Sequence, residues 1–473
     1  MAQLVRRWPP IAVGGVACVA LAALSLLLPS GLTYDPYAWL LWGRDLAHLD
    51  LATGGTGTSW KPLPALVAAL LAPLGRGAAP GWLLVARAGA LFACFMAFRL
   101  AWRVAGPGRR TLAGVVALAT IGLTREWFRR NGVGDAEGLM AAFGLLAIDR
   151  HLDARRGQAF GLLVAAGLIR VEVWPFAFAY GAWLWFASER PRRLAIAAGA
   201  LLVPLLWFGG DWIGSGHLAS ASSKALVPIK GSPGASPHPA WAVAVEAFHL
   251  LPPPAWIAVA AAVVCGVLRE RLLLVLAGSA LVWTAVVAAM AQRGYPGLPR
   301  FLFGATALEA VLAGVGAARI VDVLAVALER RAPQRVAVAL SAALVCVAFA
   351  VGAAPDAARL PGDATAIKRI ADLDTQLSAA VVQAGGAKAV LRCGSPDSPW
   401  YTVTAVDWEL GVGSVRPRPA AHGPRPDVFV RDRTDWDVRR GCGRPATQSA
   451  RLRAPRRRGG AGSSRHGRPA GRT

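Results

Sequence analysis

Two short stretches set reactive side chains against apolar runs: Tyr34-Asp35-Pro36-Tyr37-Ala38-Trp39 and Ser59-Trp60-Lys61-Pro62-Leu63-Pro64. A carboxylate and an ammonium at the edge of a hydrocarbon slab are costly, and are usually kept for binding or chemistry. Asp35 could take a proton as a general base, and Lys61 could hold an anion. Lys61 stands out further because the 51 basic residues are almost all arginine. A structural reading competes: Tyr34 and Trp60 as interfacial anchors, with Asp35 a solvated helix cap.

More ionisable groups follow at the ends of later apolar runs. Arg125, Glu126, Arg129, Arg130, Asp135 and Glu137 form one group, and Arg170 with Glu172 forms a corner before Trp174-Pro175. Asp211, His217 and Lys224 come next, then Arg293, Tyr295 and Arg300. Guanidinium groups hold phosphate oxygens in a fork and stay charged when partly buried. Carboxylates beside them could then deprotonate an attacking hydroxyl, so the combination suits a lipid-linked phosphate. Arg170 with Glu172 reads equally well as a structural pair. Soluble nucleotide chemistry is excluded: there is no Walker loop, and Gly54-Gly55-Thr56-Gly57 does not sit between a strand and a helix. No His/Cys cluster has zinc spacing, and no nucleophile elbow occurs.

The elements that must position these groups are membrane helices. The 473 residues are 55% hydrophobic and 16% charged, with mean hydropathy +0.45. Soluble domains carry about a quarter charged residues. The net charge of +24 does not imply nucleic acid, because the arginines gather at the ends of apolar runs and in the C-terminal tail. Spans are expected near 11–30, 81–103, 111–128, 136–150, 158–171, 173–188, 194–210, 254–268, 272–291, 301–320 and 335–353. The fold class is therefore an all-α polytopic membrane protein of about eleven transmembrane helices. The run 63–74 is too short to cross, and is expected as a juxtamembrane helix in the first outer loop. The arginine bias puts the N-terminus in the cytoplasm, the C-terminus outside and the chain in the plasma membrane, with Arg125, Arg129 and Arg130 breaching the pattern. Residues 1–353 form the membrane domain. Residues 354–450 read as a small extracytoplasmic α/β module, with a helix around 364–384 and strands at 389–391 and 427–430. Residues 451–473 read as a disordered basic tail. Cys393 and Cys442 are a candidate disulfide if that module is outside, and two free thiols otherwise.

Taken in order, these motifs resemble the GT-C type membrane glycosyltransferases, especially the protein O-mannosyltransferase and lipid A aminoarabinose transferase branch. The resemblance spans roughly residues 1–320. It rests on Asp35 after the first span, Lys61-Pro62-Leu63-Pro64 on the juxtamembrane helix, Arg87 entering the next span, Asp135 or Glu137 opening a later one, and Leu298-Pro299-Arg300-Phe301 before another. It implies an inverting transferase that takes sugar from a polyprenyl phosphate at the outer membrane face. Asp35 would be the base, and Lys61, Arg87 and Arg300 would bind the donor phosphate. Tyr34, Trp60, Asp135, Glu137, Arg170, Glu172 and Tyr295 would bind the acceptor or support the site. The acceptor, whether glycan, lipid or protein, is left open. Paired acids are common in the family, whereas Asp35 is followed by Pro36; one carboxylate makes a poor divalent site, so a divalent cation is left open and no cofactor is assigned. Two readings from other classes compete: a transporter or flippase of lipid-linked intermediates, with Glu309 inside a span, and a non-catalytic scaffold.

Overall fold

Backbone polar groups in a bilayer must be satisfied within the chain, which favours helices. The computed structural model describes residues 10–55, 58–392, 398 and 401–413, with the backbone alone of 428–431 and 435–438. In chain order the helices are α1 (Pro10–Ser25), α2 (Tyr34–Ala47), α3 (Pro62–Leu71), α4 (Ala78–Val104), α5 (Arg110–Gly122), α6 (Arg125–Gly132) and α7 (Glu137–Leu152). They continue as α8 (Arg156–Gly167), α9 (Trp174–Phe186), α10 (Arg190–Ser215), α11 (Ser220–Ala225), α12 (Pro239–His249), α13 (Pro253–Leu268) and α14 (Arg271–Ala291). The last are α15 (Phe303–Leu328), α16 (Gln334–Ala357), α17 (Leu360–Gln383), α18 (Ala387–Leu391) and α19 (Val403–Leu410).

Each expected span is helical, but the span count changes. Among the described residues five helical stretches are long and apolar enough to cross a membrane, or six if α12 and α13, bent by 97°, act as one. The five contain α4, α10, α14, α15 and α16. The other expected spans, α1, α5, α7, α8, α9 and α13, have only 12 to 16 residues. At 1.5 Å per residue these reach at most about 24 Å, against a hydrocarbon core of about 30 Å. The run 63–74 is helix α3, followed by a 3-10 turn that Gly75 (φ 57°) breaks before α4.

α15 is the central element, buried over most of its length and packed on α5, α13, α14, α16, α4 and α7. α2 is the surprise, because the sequence reads there as a loop with an aromatic belt. Trp39 and Trp42 are fully buried; Trp39 meets Trp82 of α4 edge-on at 5.2 Å, and Trp42 lies 5.4 Å from Trp60. These rings are core, not interfacial anchors. α2 lies tightly on α3 at Gly43, where an added Cβ would come within 2.6 Å of the Ala69 backbone nitrogen.

Charged groups sort to two ends of the bundle. At one end Asp149 of α7 is fully buried and accepts from Arg99 (3.0 Å) and Arg103 (3.1 Å) of α4, and pairs with Arg150. Arg109 pairs with Asp322 of α15 at 3.0 Å, and Arg319 pairs with Glu270. Glu137, at the opposite end of α7, lies about 18 Å away along the helix. The three arginines that breach the charge pattern are taken up near that end: Arg125 makes two bonds to Asp363 of α17 (2.7 and 2.9 Å), while Arg129 and Arg130 pair with Glu126.

The C-terminal region differs from the α/β expectation. The segment 389–391 is part of helix α18 rather than a strand. α17, α18 and α19 share a small core of Leu377, Ala380, Val381, Val390, Val406 and Leu410. The expected strand at 427–430 corresponds to β1 (Val428–Arg431), paired antiparallel with β2 (Asp435–Val438). Cys393 and Cys442 lie outside the described residues.

Because Gly43 has no room for a side chain, Gly43→Val should force α2 away from α3. The expected cost is about 1–3 kcal/mol, read as a lower thermal midpoint of the purified protein in detergent.

Candidate active site

Four breaks between helices bring the ionisable groups together. Asp35 sits in the first turn of α2, where the helix dipole favours a carboxylate. Lys61 precedes α3 in extended conformation, its direction fixed by Pro62 at the first helical position. Asp135 follows Gly134, whose φ of 91° turns the chain between α6 and α7; the Gly134 carbonyl accepts from the Trp82 indole at 2.8 Å. Arg170 and Glu172 occupy the break between α8 and α9. Tyr295 and Arg300 lie between α14 and α15, with Arg300 in a 3-10 turn.

Arg300 is the hub of the first cluster. One Nη donates to Asp35 Oδ2 at 2.8 Å and the other to Asp135 Oδ2 at 3.0 Å. Lys61 Nζ stands 3.8 Å from Asp35 and 4.7 Å from the centre of the Trp39 ring. Arg170 anchors a second cluster. It binds Glu172 through two nitrogens (2.6 and 3.1 Å), reaches Glu137 at 3.1 Å and contacts the Tyr295 hydroxyl. Tyr295 in turn donates to Glu172 at 2.9 Å. Phe301 joins the clusters, with the Arg170 guanidinium 4.1 Å and the Arg300 guanidinium 5.3 Å from its ring centre.

Burial and charge set the protonation states. Burial alone would raise the Asp35 carboxyl, but Arg300, Lys61 and the Thr58 hydroxyl hold it well below the usual carboxylate range. Burial pushes the Lys61 ammonium down against the pull of Asp35. Burial raises Asp135, with Glu137 adding to the rise and Arg300 opposing it. The Tyr295 phenol is pushed far up by burial and by Glu172.

A cavity of about 510 Å³ opens onto this array. Asp35, Lys61, Arg170, Glu172, Tyr295, Arg300 and Tyr34 all line it. Asp135 and Glu137 do not: they are 1% and 0% exposed and stand behind the two arginines. Trp60 is not in the wall either; it is a core side chain whose indole donates to the Leu206 carbonyl at 3.0 Å. Arg87 is the clear departure from the motif order. It donates to the Ser25 carbonyl and hydroxyl (2.9 and 3.0 Å) and to the Gly132 carbonyl (2.8 Å), tying α4 to α1 and α6 away from the cavity. No cluster of three His, Cys, Asp or Glu suited to a metal ion occurs among the described residues.

No protein-family model and no curated protein sequence matches the chain. Solved structures do match. The lipid A aminoarabinose transferase ArnT from Cupriavidus metallidurans, in its apo state, superposes with a TM-score of 0.50 at 13% identity, covering 89% of this chain and 94% of that one. It is the GT-C fold. The same ArnT bound to undecaprenyl phosphate gives 0.49 at 12%, covering 89% and 93%. The archaeal oligosaccharyltransferase AglB from Archaeoglobus fulgidus, in complex with an inhibitory peptide and a dolichol-phosphate, gives 0.48 at 12%, covering 86% and 65%.

Within this GT-C fold, three contributors had no role assigned from sequence. Trp39 seats Lys61, and Phe301 spaces the two guanidinium groups. Lys224 lines the cavity with Asp211 and bonds the Thr53 carbonyl. The aromatic residues gave no signal beyond their type, whereas Asp211 and Lys224 were already among the ionisable groups that follow an apolar run. Glu309 lies two turns into α15, buried and without an ion pair among the described residues.

Two outcomes follow. Arg170→Met strands Glu137 and Glu172 and should cost about 3–5 kcal/mol, seen as a large drop in thermal midpoint or folded yield. The depressed Asp35 carboxyl adds stability that is complete above the unfolded pKa of about 3.9 and is lost as pH falls through its lower folded value. The midpoint difference between wild type and Asp35→Asn should therefore hold steady from pH 8 to about 5 and shrink below about 4.

Proposed function

We propose that the protein is an integral membrane glycosyltransferase. It moves a sugar from a polyprenyl-phosphate donor to an acceptor hydroxyl at the extracytoplasmic face, with inversion at the sugar carbon. The observation that carries this reading is the cavity itself. It sets Asp35 against Arg300 and Lys61, with Arg170 and Glu172 also in the lining, and a further part of its wall is apolar, with Phe208, Leu226, Val227, Ile229 and Met290. An ion array beside a greasy wall suits a ligand that is part anion and part hydrocarbon.

The chemistry can be followed by bonds. The acceptor oxygen attacks the anomeric carbon while the carbon–oxygen bond to phosphate breaks on the opposite face. Asp35 takes the acceptor proton, and the departing polyprenyl phosphate keeps the electron pair. Arg300 and Lys61 stabilise that developing charge. In the free protein the same two cations depress Asp35 and make it a weak base. A donor phosphate drawing on them offsets their field at Asp35 and raises its proton affinity. Substrate binding thus readies the base. Asp135, Glu137 and Arg170 fix the cations and the wall, and Glu172, Tyr295 and Tyr34 face the acceptor side. Arg87 is left to its structural bonds.

The test is incubation of the purified protein with a panel of polyprenyl-phosphate sugars and scoring of transferred sugar. Wild type should transfer from at least one donor, and Asp35→Asn should lose at least about 10³-fold while inserting and expressing normally. Retained transfer in that variant removes Asp35 from the mechanism.

A further inference from the structure

The turn that carries Asp35 is gripped from outside by the C-terminal helices. Thr404 of α19, fully buried, donates from Oγ1 to the Tyr34 carbonyl at 3.0 Å. That carbonyl belongs to the peptide joining Tyr34 to Asp35, so the bond fixes the plane from which the carboxylate departs. Upstream, the Leu32 amide donates to Asp374 Oδ2 of α17 at 3.4 Å. Downstream, the Tyr37 hydroxyl stands beside the same carboxyl, within electrostatic reach of it. Gly31 permits the close approach, since a Cβ there would meet the Ala371 backbone nitrogen at 2.8 Å. At the far end of α2, Arg44 donates to the Val412 carbonyl and lies 5.3 Å over the Trp408 ring. The loop that supplies Asp135 is held from the same side, through Ile367 against Gly132 and Asp363 on Arg125. Neither Thr404 nor Asp374 lines the cavity.

We propose that α17 and α19 form a positioning clamp for the site, in which Thr404 and Asp374 hold Asp35 in register with Arg300 without touching substrate. The proposal rests on the transferase reading of the cavity. Its physical basis is that hydrogen bonds made at residues 32 and 34, with the Tyr37 ring buried beside them, bracket position 35 within one turn. Misplacement of a reacting group by about 1 Å can cost on the order of 10²-fold in rate.

The test uses the full chain in lipid nanodiscs, comparing wild type, Thr404→Val, Thr404→Ser and Asp374→Leu. Thr404→Val should lower kcat by about 10- to 100-fold and leave the donor KM and the thermal midpoint near their wild-type values. Thr404→Ser, which keeps the hydroxyl, should restore most of that rate. Hydrogen exchange of the amides from Tyr37 to Leu40 should quicken in Thr404→Val and not in Thr404→Ser. Asp374→Leu, which removes the acceptor for the Leu32 amide, should show the same kcat loss, and it decides the matter if Thr404→Val does not fold. Unchanged kcat, a rise in KM alone, or failure of serine to rescue overturns the clamp. If wild type transfers from no donor, the transferase reading fails on its own, and the exchange comparison still tests the clamp: equal protection in all four proteins overturns it.

Discussion

A guanidinium largely enclosed at the head of α15 is the constraint around which the rest is arranged. Arg300 lies in the cavity wall with its side chain 14% exposed, where an unpaired charge is costly. Its carboxylates come from distant parts of the chain, Asp35 from the first turn of α2 and Asp135 from before α7. Both loops must therefore return to the head of α15 for that charge to be tolerated. Arg170 repeats the arrangement with Glu137 and Glu172. Phe301 keeps the two cations apart while giving each a ring face. The site is thus a consequence of charge pairing in a dry place as much as a constellation selected for reaction.

How far this was legible in the sequence depends on range. Helix positions were readable because long apolar runs admit little else in a bilayer. The membership of the cavity was largely readable too: ionisable residues are so expensive in such a chain that Asp35, Lys61, Arg170, Glu172, Tyr295 and Arg300 stood out singly. What failed was inference from motif order alone. Arg87 has the expected place in the sequence, yet three oxygen acceptors on neighbouring helices claim it. The α2 tryptophans read as a belt because composition cannot separate a ring at the interface from one packed between helices. The bond from Thr404 to Tyr34 spans 370 residues, a pairing that no local pattern announces.

The C-terminal helices also change how the chain divides. Composition drew a boundary after residue 353 and suggested an appended module. α17 and α19 pack on α2 and α6, so their removal would strand Arg125 and the Leu32 amide and expose the underside of α2. The Arg125 breach of the charge pattern has the same origin, being the partner that Asp363 requires.

The ion lattices at both ends of α7 and α15 have a mechanical corollary. Each helix is staked at its head, by Glu137 to Arg170 and by Arg300 to two acids, and again near its foot, by Asp149 to three arginines and by Asp322 to Arg109. Sliding either helix by one turn, about 5.4 Å, would tear ion pairs apart at both stakes simultaneously. Such a scaffold holds both helices in fixed axial register with their neighbours.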